Sequence, residues 1–204
     1  MLRQRVLFED KNLLYCSRYQ ALVALLWKAR ARSLLGNGYG FTSSQKLPIR
    51  LPVNLRERIL PTLTKGYMGN GMCPTTASAS MQELLELPLS ILVHKIKAAL
   101  DVVTPEFLQS RVDYLESRGL LEVHPNRFFF GMSSHVSLPF YDTDCGWGRP
   151  VYHALPSQQW NNGLYILEDL TKGSWNISVV LGSKEEGALF VGVLEDYVAV
   201  SVLT

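Results

Sequence analysis

Seven consecutive residues hold more usable chemistry than any other stretch of this chain. Asp144, Cys145, Gly146, Trp147, Gly148, Arg149 and Pro150 set a carboxylate, a thiol, an indole and a guanidinium side by side. Glycine adopts backbone angles that other residues avoid, and proline fixes φ and donates no hydrogen bond. The run predicts a sharply shaped loop with a large indole to bury and charges to settle. Cys145 carries a nucleophilic atom, yet nothing nearby in sequence supplies a base or an orienting group, so it is not read as catalytic. A second permissive segment is Tyr67, Met68, Gly69, Asn70 and Gly71. It allows close backbone approach but lacks the longer glycine patterns that cradle phosphates, and a ligand contact and a plain turn fit it equally. The bases that titrate near neutral pH are His94, His124, His135 and His153. The three cysteines, Cys16, Cys73 and Cys145, form no Cys-x-x-Cys pair. Metal, redox and disulfide roles are therefore not expected, and reduced cysteines suit the cytoplasm. Asn176, Ile177 and Ser178 have the glycosylation spacing, which in a cytosolic strand is accidental.

These residues need elements to hold them. Residues 4–8 read as a short strand. Ser17 begins a helix, with Gln20 at the capping-box spacing. Leu22, Leu26, Ala29 and Ser33 line one face of it, with Leu25 and Trp27 beside them. Arg18, Lys28, Arg30 and Arg32 are expected mostly toward water, the last three near the helix carboxyl end. Gly36, Gly38 and Gly40 stop the helix. Residues 47–55 alternate as a half-buried strand, interrupted or at a sheet edge because of Pro48 and Pro52. A leucine-rich helix covers residues 84–100, interrupted or started at Pro88, with Ile91, Leu92, Ile96 and Leu100 as its apolar stripe. Thr104, Pro105 and Glu106 start another, which runs to about Arg118 and is stopped by Gly119. Four β-like stretches follow: Phe128 to Met132, Pro150 to His153, Leu164 to Leu167, and Trp175 to Leu181. A last helix runs from about Lys184 to Val198 behind Ser183 and Glu186. This order predicts an α/β domain, a mixed sheet flanked by helices, spanning residues 1–204.

Three of these segments resemble the BAHD acyltransferases, plant enzymes that move acyl groups from coenzyme A to alcohols or amines. Ser17, Tyr19, Gln20, Ala21, Leu22 and Trp27 resemble one helix of that family. Val53, Asn54, Leu55, Arg56 and Arg58, followed by Lys65, Gly66, Tyr67, Met68, Gly69 and Asn70, resemble a segment with two arginines and Gly-Tyr-Phe-Gly-Asn. Leu138, Pro139, Phe140 and Tyr141 lead into Asp144–Pro150, which resembles the Asp-Phe-Gly-Trp-Gly signature. Their order matches the carboxyl-terminal half of the family, from about residue 2 to residue 198. The resemblance implies one chloramphenicol acetyltransferase-like domain, the second of two. It gives Asp144 a structural role, pairing with an arginine for which Arg56 is the first choice and Arg58 the second. It also puts Tyr67, Gly69 and Asn70 beside the coenzyme A channel. Cys145 stands where the family usually has phenylalanine, so a local cavity or repacking is expected.

The family's general base is a histidine in a His-x-x-x-Asp motif. Four positions after His94, His124, His135 and His153 stand Ala98, Phe128, Pro139 and Ser157. None qualifies, so no residue is assigned as catalytic, and His153 is the least unsuitable substitute. The chain has 204 residues, 47% hydrophobic and 19% charged, with a net charge of +2. That balance suits a folded core and gives no reason to expect nucleic acid or an acidic membrane surface. Its longest apolar run, Ala21 to Trp27, is far below the roughly 20 residues that span a bilayer. The expected function is acyl transfer from acyl-CoA, as co-substrate, to a small-molecule alcohol or amine. The amino-terminal domain that holds the base is absent, so the chain alone is expected to be truncated and inactive and to expose a large apolar face. A non-catalytic coenzyme A-binding or regulatory remnant of that family is the alternative.

Overall fold

Alternation of apolar and polar residues decides the centre of the sheet. Strand β1 (Lys46–Asn54) buries Leu47, Ile49, Leu51 and Val53 and leaves Lys46, Arg50 and Asn54 exposed, the period of two that a one-sided strand requires. It pairs antiparallel with β2 (Met72–Ser80) from Lys46↔Ser80 to Asn54↔Met72. Strand β2 has few of the side chains that favour strands; its pairing comes from β1, whose register sets Cys73, Thr75, Ala77 and Ala79 on the same buried face. The computed structural model describes residues 2–56, 58, 67–118, 130–136, 138–155 and 162–202. Three further strands, β3 (Phe130–Ser134), β4 (Gly163–Glu168) and β5 (Trp175–Val180), complete a mixed sheet of order β2-β1-β3-β4-β5. The β1–β3 and β3–β4 pairs are parallel, and β4–β5 is antiparallel. Strand β1 is thus an interior strand, not an edge. Its prolines are tolerated because the pairing with β3, at Ile49 and Arg50, lies between Pro48 and Pro52.

The helices are α1 (Leu2–Glu9), α2 (Arg18–Gly36), α3 (Met81–Glu86), α4 (Leu89–Asp101), α5 (Pro105–Arg118) and α6 (Lys184–Val202). Residues 4–8 are therefore helical, not a strand. Helix α1 packs on α2 and α4, buries Val6, and sets Glu9 so that Oε2 accepts from the Ser90 amide at 3.0 Å. The α4 N-cap is Pro88, which has no side-chain oxygen to offer, so α1 supplies the capping carboxylate. The capping box of α2 is present: Ser17 Oγ accepts from the Gln20 amide, and Gln20 Oε1 accepts from the Ser17 amide. The leucine-rich segment is two helices divided at Leu87 and Pro88; α4 buries Leu92, Val93 and Ile96, while Ile91 is exposed. Helix α5 begins at Pro105, with Thr104 Oγ1 accepting from the Phe107 amide. The expected stop at Gly119 and the start of β3 at Phe128 lie outside the described residues. Residues 150–153 form no strand.

Helix α2 is the pillar of the core, in contact with α1, α3, α4 and α6. Trp27 is fully buried and its Nε1 donates to the Leu47 carbonyl at 3.1 Å, tying α2 to β1. The charged side of α2 departs from its expected place. Arg18 and Arg32 are exposed, but Lys28 and Arg30 are 4% and 2% exposed, and no basic residue lies in the last turn. Lys28 Nζ donates to the Leu87 carbonyl at 2.6 Å, and burial pulls its ammonium below the usual value. Arg30 forms an ion pair with Glu186 of α6, donates to Asn162 Oδ1 at 2.6 Å, and lies over the Phe130 ring. Burial pushes the Arg30 guanidinium down to about 10, which leaves it charged at neutral pH. Asn162 has φ 67°, a conformation uncommon outside glycine but accessible to asparagine. Arg30 thereby holds the entry to β4 and the start of α6 against one helix. On the opposite side of β1 and β2, the exposed side chains are polar except Met72, so these two strands do not present a broad apolar face.

Candidate functional site

Because β1, β3 and β4 run parallel, their carboxyl ends lie at one end of the sheet. Both candidate segments leave from that end: one after Asn54, the other after Ser134. In open sheets with parallel strands, ligand crevices form outside the strand carboxyl ends.

The loop from Asp144 to Pro150 organises itself. Asp144 Oδ1 accepts from the Gly146 amide at 2.8 Å and from the Gly148 amide at 3.1 Å. Gly146 and Gly148 have φ of 96° and 90°, conformations that a side chain would strain. The carboxylate thus satisfies two amides on either side of Trp147 and thrusts the indole outward. Trp147 is 94% exposed, and Cys145, Arg149 and Asp144 are also exposed, with Pro150 half-buried. Two expectations are corrected here. The indole is not buried among the described residues, because both glycines turn the backbone away from the core. Replacing phenylalanine with Cys145 leaves no interior cavity, because the position faces solvent.

Arg56 has other partners than the expected one. Its Nη2 donates to the Gly69 carbonyl at 2.7 Å and its Nη1 to the Gly71 carbonyl at 3.5 Å, while its guanidinium lies 5.9 Å from the centre of the Tyr67 ring. Its backbone amide donates to Asn54 Oδ1. A Cβ on Gly71 would stand 2.9 Å from Arg56 Cζ, so the glycine makes room for the guanidinium. Arg58 Nη1 donates to the Leu100 carbonyl at 2.6 Å. Among the described residues neither arginine forms an ion pair with Asp144. The physical reason is that each charge already has backbone partners close in sequence or in the adjoining helix end. Tyr67, Met68, Gly69 and Asn70 are exposed, while Lys65 and Gly66 lie outside the described residues.

None of the three described histidines is held as a general base. His94 Nε2 contacts Asp10 Oδ2 at 2.8 Å on the surface, and that contact lowers the Asp10 carboxyl below its usual value. His135 Nε2 meets Ser133 Oγ at 3.2 Å. This is not a working serine–histidine pair, because His135 Nδ1 is buried with no partner and so no third group orients the ring. His153 stacks on Phe140, ring centres 3.9 Å apart, and its amide donates to the Tyr141 hydroxyl at 3.2 Å. His124 lies outside the described residues. Among the described residues no group of three or more metal-ligating side chains gathers, and no helix is long and apolar enough to cross a membrane. Asn176 is not free for modification chemistry: its Nδ2 donates to Asp169 Oδ2 at 2.7 Å.

Sequence reading missed the neck of the signature loop. The chain leaves through a 3-10 turn at Phe140–Asp142 and returns at His153, where Phe140, His135 and His153 meet as three rings. The signal was available as an aromatic residue before the run and imidazoles at 135 and 153. Their mutual contact, however, depends on a return path that no local pattern encodes.

The model of the transferase family matches residues 5–189. Omega-hydroxypalmitate O-feruloyl transferase of Arabidopsis thaliana is 33% identical over 148 residues, covering 71% of this chain and 31% of that protein. Shikimate O-hydroxycinnamoyltransferase of Nicotiana tabacum is 28% identical over 199 residues, covering 93% and 44%. The chain thus spans between about a third and a half of the length of these relatives. Among solved structures, vinorine synthase superposes with a TM-score of 0.70 at 21% identity, covering 96% of this chain and 46% of that one. The F. graminearum TRI101 complex with coenzyme A and T-2 mycotoxin gives 0.78 at 17%, covering 92% and 43%. These likenesses establish the chloramphenicol acetyltransferase-like fold. With the family model spanning most of its length, the chain belongs to the transferase family of BAHD acyltransferases.

Proposed function

We propose that this chain is the carboxyl-terminal domain of a two-domain acyltransferase that moves an acyl group from acyl-CoA to a hydroxyl or amine of a small plant metabolite. The observation that carries this reading is the match of three ordered segments and of the family model to a chain less than half the length of the relatives. In the complete enzyme a histidine of the other domain takes the proton of the acceptor. The freed oxygen or nitrogen attacks the thioester carbonyl, backbone or side-chain donors hold the oxyanion, and the coenzyme thiolate leaves and recovers a proton. This half contributes one wall of the channel, with Tyr67, Gly69 and Asn70 set by Arg56, and the loop built on Asp144. It contributes no base, and the implied compartment is the cytoplasm.

The amino-terminal domain is the partner proposed for the exposed loop. Trp147, Val151 and Tyr152 are 94%, 82% and 72% exposed within a few residues, the kind of apolar group that marks an interaction site. Thioester consumption by the isolated chain, measured with several acceptors and then with a separately expressed amino-terminal half, tests the reading. No turnover alone and turnover on mixing are expected. Turnover by the isolated chain overturns it, and coenzyme A binding with no turnover in either mixture favours a non-catalytic remnant.

A further inference from the structure

The loop that carries Trp147 is closed at its neck by two imidazoles. His153 lies flat on Phe140, with ring centres 3.9 Å apart and planes 15° apart, and His135 packs against both, 5.9 Å from Phe140 and 6.3 Å from His153. The Nδ1 atoms of both histidines are buried and have no hydrogen-bond partner. A neutral ring tolerates such a nitrogen; a protonated one must hydrogen-bond it or bring it to water. Among the described residues the surrounding elements supply no counter-charge in contact. From β3 comes Ser133, hydrogen-bonded to His135 Nε2, and from the turn the Tyr141 hydroxyl, held by the His153 amide. Asp142 on the turn, Asp144 and Arg149 in the loop and Glu168 at the end of β4 form no ion pair with either ring among the described residues.

We propose that His135, packed against Phe140 and His153, makes the neck an acid-sensitive clasp: shut while its ring is neutral, opened when a proton on its buried Nδ1 demands water or a partner that the closed neck does not supply. Burial first, and His153 second, push the His135 imidazole below its ordinary 6.5. The unfolded or opened chain therefore binds more protons than the closed one as pH falls through 6.5. The closed neck is fully stabilised above that value and loses its advantage progressively until the depressed folded value is passed. Opening changes how the loop presents Trp147. That consequence rests on the docking role proposed above, whereas the clasp itself is tested without any enzyme activity.

Cys145 is exposed in the loop, and Cys16 and Cys73 are buried, so a fluorescent thiol label attached at about pH 8 reports the loop alone. Titrated from about pH 8 to about pH 5, the label is expected to change emission with a midpoint below 6.5, in step with the imidazole proton resonances of His135. The double variant His135→Phe with His153→Phe keeps three rings at the neck and removes both imidazoles. Its label is expected to stay level over the same range. A level signal in the unaltered chain, with far-ultraviolet dichroism unchanged, overturns the proposal. So does an equal transition in the double variant. Should that variant fail to fold, a label curve in the unaltered chain that does not coincide with the histidine resonances overturns it equally.

Discussion

Helix α2 and the signature loop reverse each other's expected surroundings. In α2, Arg30 reads as a solvated charge and is 2% exposed; in the loop, Trp147 reads as a buried indole and is 94% exposed. The difference teaches where side-chain type stops predicting position. A charge can be buried when fixed partners take it up, as Glu186 and Asn162 do for Arg30. An indole stays outside when the backbone that carries it is fixed by other bonds, as the two amides on Asp144 fix this one. The interior charge holds the domain together, while the outward indole is left almost wholly to solvent.

That contrast can be broken at either end. The largest expected effect is at Arg30. Arg30→Ala leaves Glu186 charged and buried and is expected to cost about 3–5 kcal/mol, read as a fall in the denaturant midpoint. Replacing Arg30 and Glu186 together by leucine is expected to recover most of that loss, and failure to recover would show the pair to be irreplaceable in shape. Next in size is Trp147 in the assembled enzyme. Trp147→Ser is expected to weaken association with the amino-terminal half by about 2 kcal/mol or more, measured by titration calorimetry. A smaller loss, about 1 kcal/mol, is expected for Ser17→Ala, which removes the side-chain cap of α2. The smallest is Trp147→Ser in the isolated chain, where stability is expected to stay within about 0.5 kcal/mol. A larger change there would mean that the indole packs within its own domain after all. The complete enzyme offers one more comparison: Asp144→Ala, which unties both amides, is expected to lower soluble yield.

Local signals were legible where the contacts that satisfy them are local. Ser17 and Gln20 are three residues apart, and each closes the other's bond. Thr104 does the same for Phe107, and the alternation of β1 needs only a core on one side. What was illegible involves partners beyond the reach of a local pattern. Residues 4–8 have strand-like composition, yet α1 is fixed by packing against α2 and by Glu9 capping α4 from 81 residues away. Strand β2, rich in Pro, Thr, Ala and Ser, is set by nine residues of register with β1. Pro150 to His153 forms no strand: Pro150 has no N–H to donate, and the His153 amide donates to the Tyr141 hydroxyl instead of a neighbouring strand. In the candidate site, the partners of the singled-out residues were not legible: the Arg56 guanidinium reaches two carbonyls of its own loop before any carboxylate.

The amino-acid sequence alone determined the family, the helix caps, the alternating strand and the shape-giving residues of the signature loop, since each rests on side chains a few positions apart or on an ordered set of motifs. Only the tertiary structure decided that Arg30 lies inside, that Trp147 lies outside, and that two histidines close the loop on Phe140. Burial and partnership depend on which surfaces the fold brings together, whether across 132 residues, as for Arg30 and Asn162, or across the return of a single loop, as for Phe140 and His153. Which surfaces meet is settled by the sum of the packing, not by any one stretch.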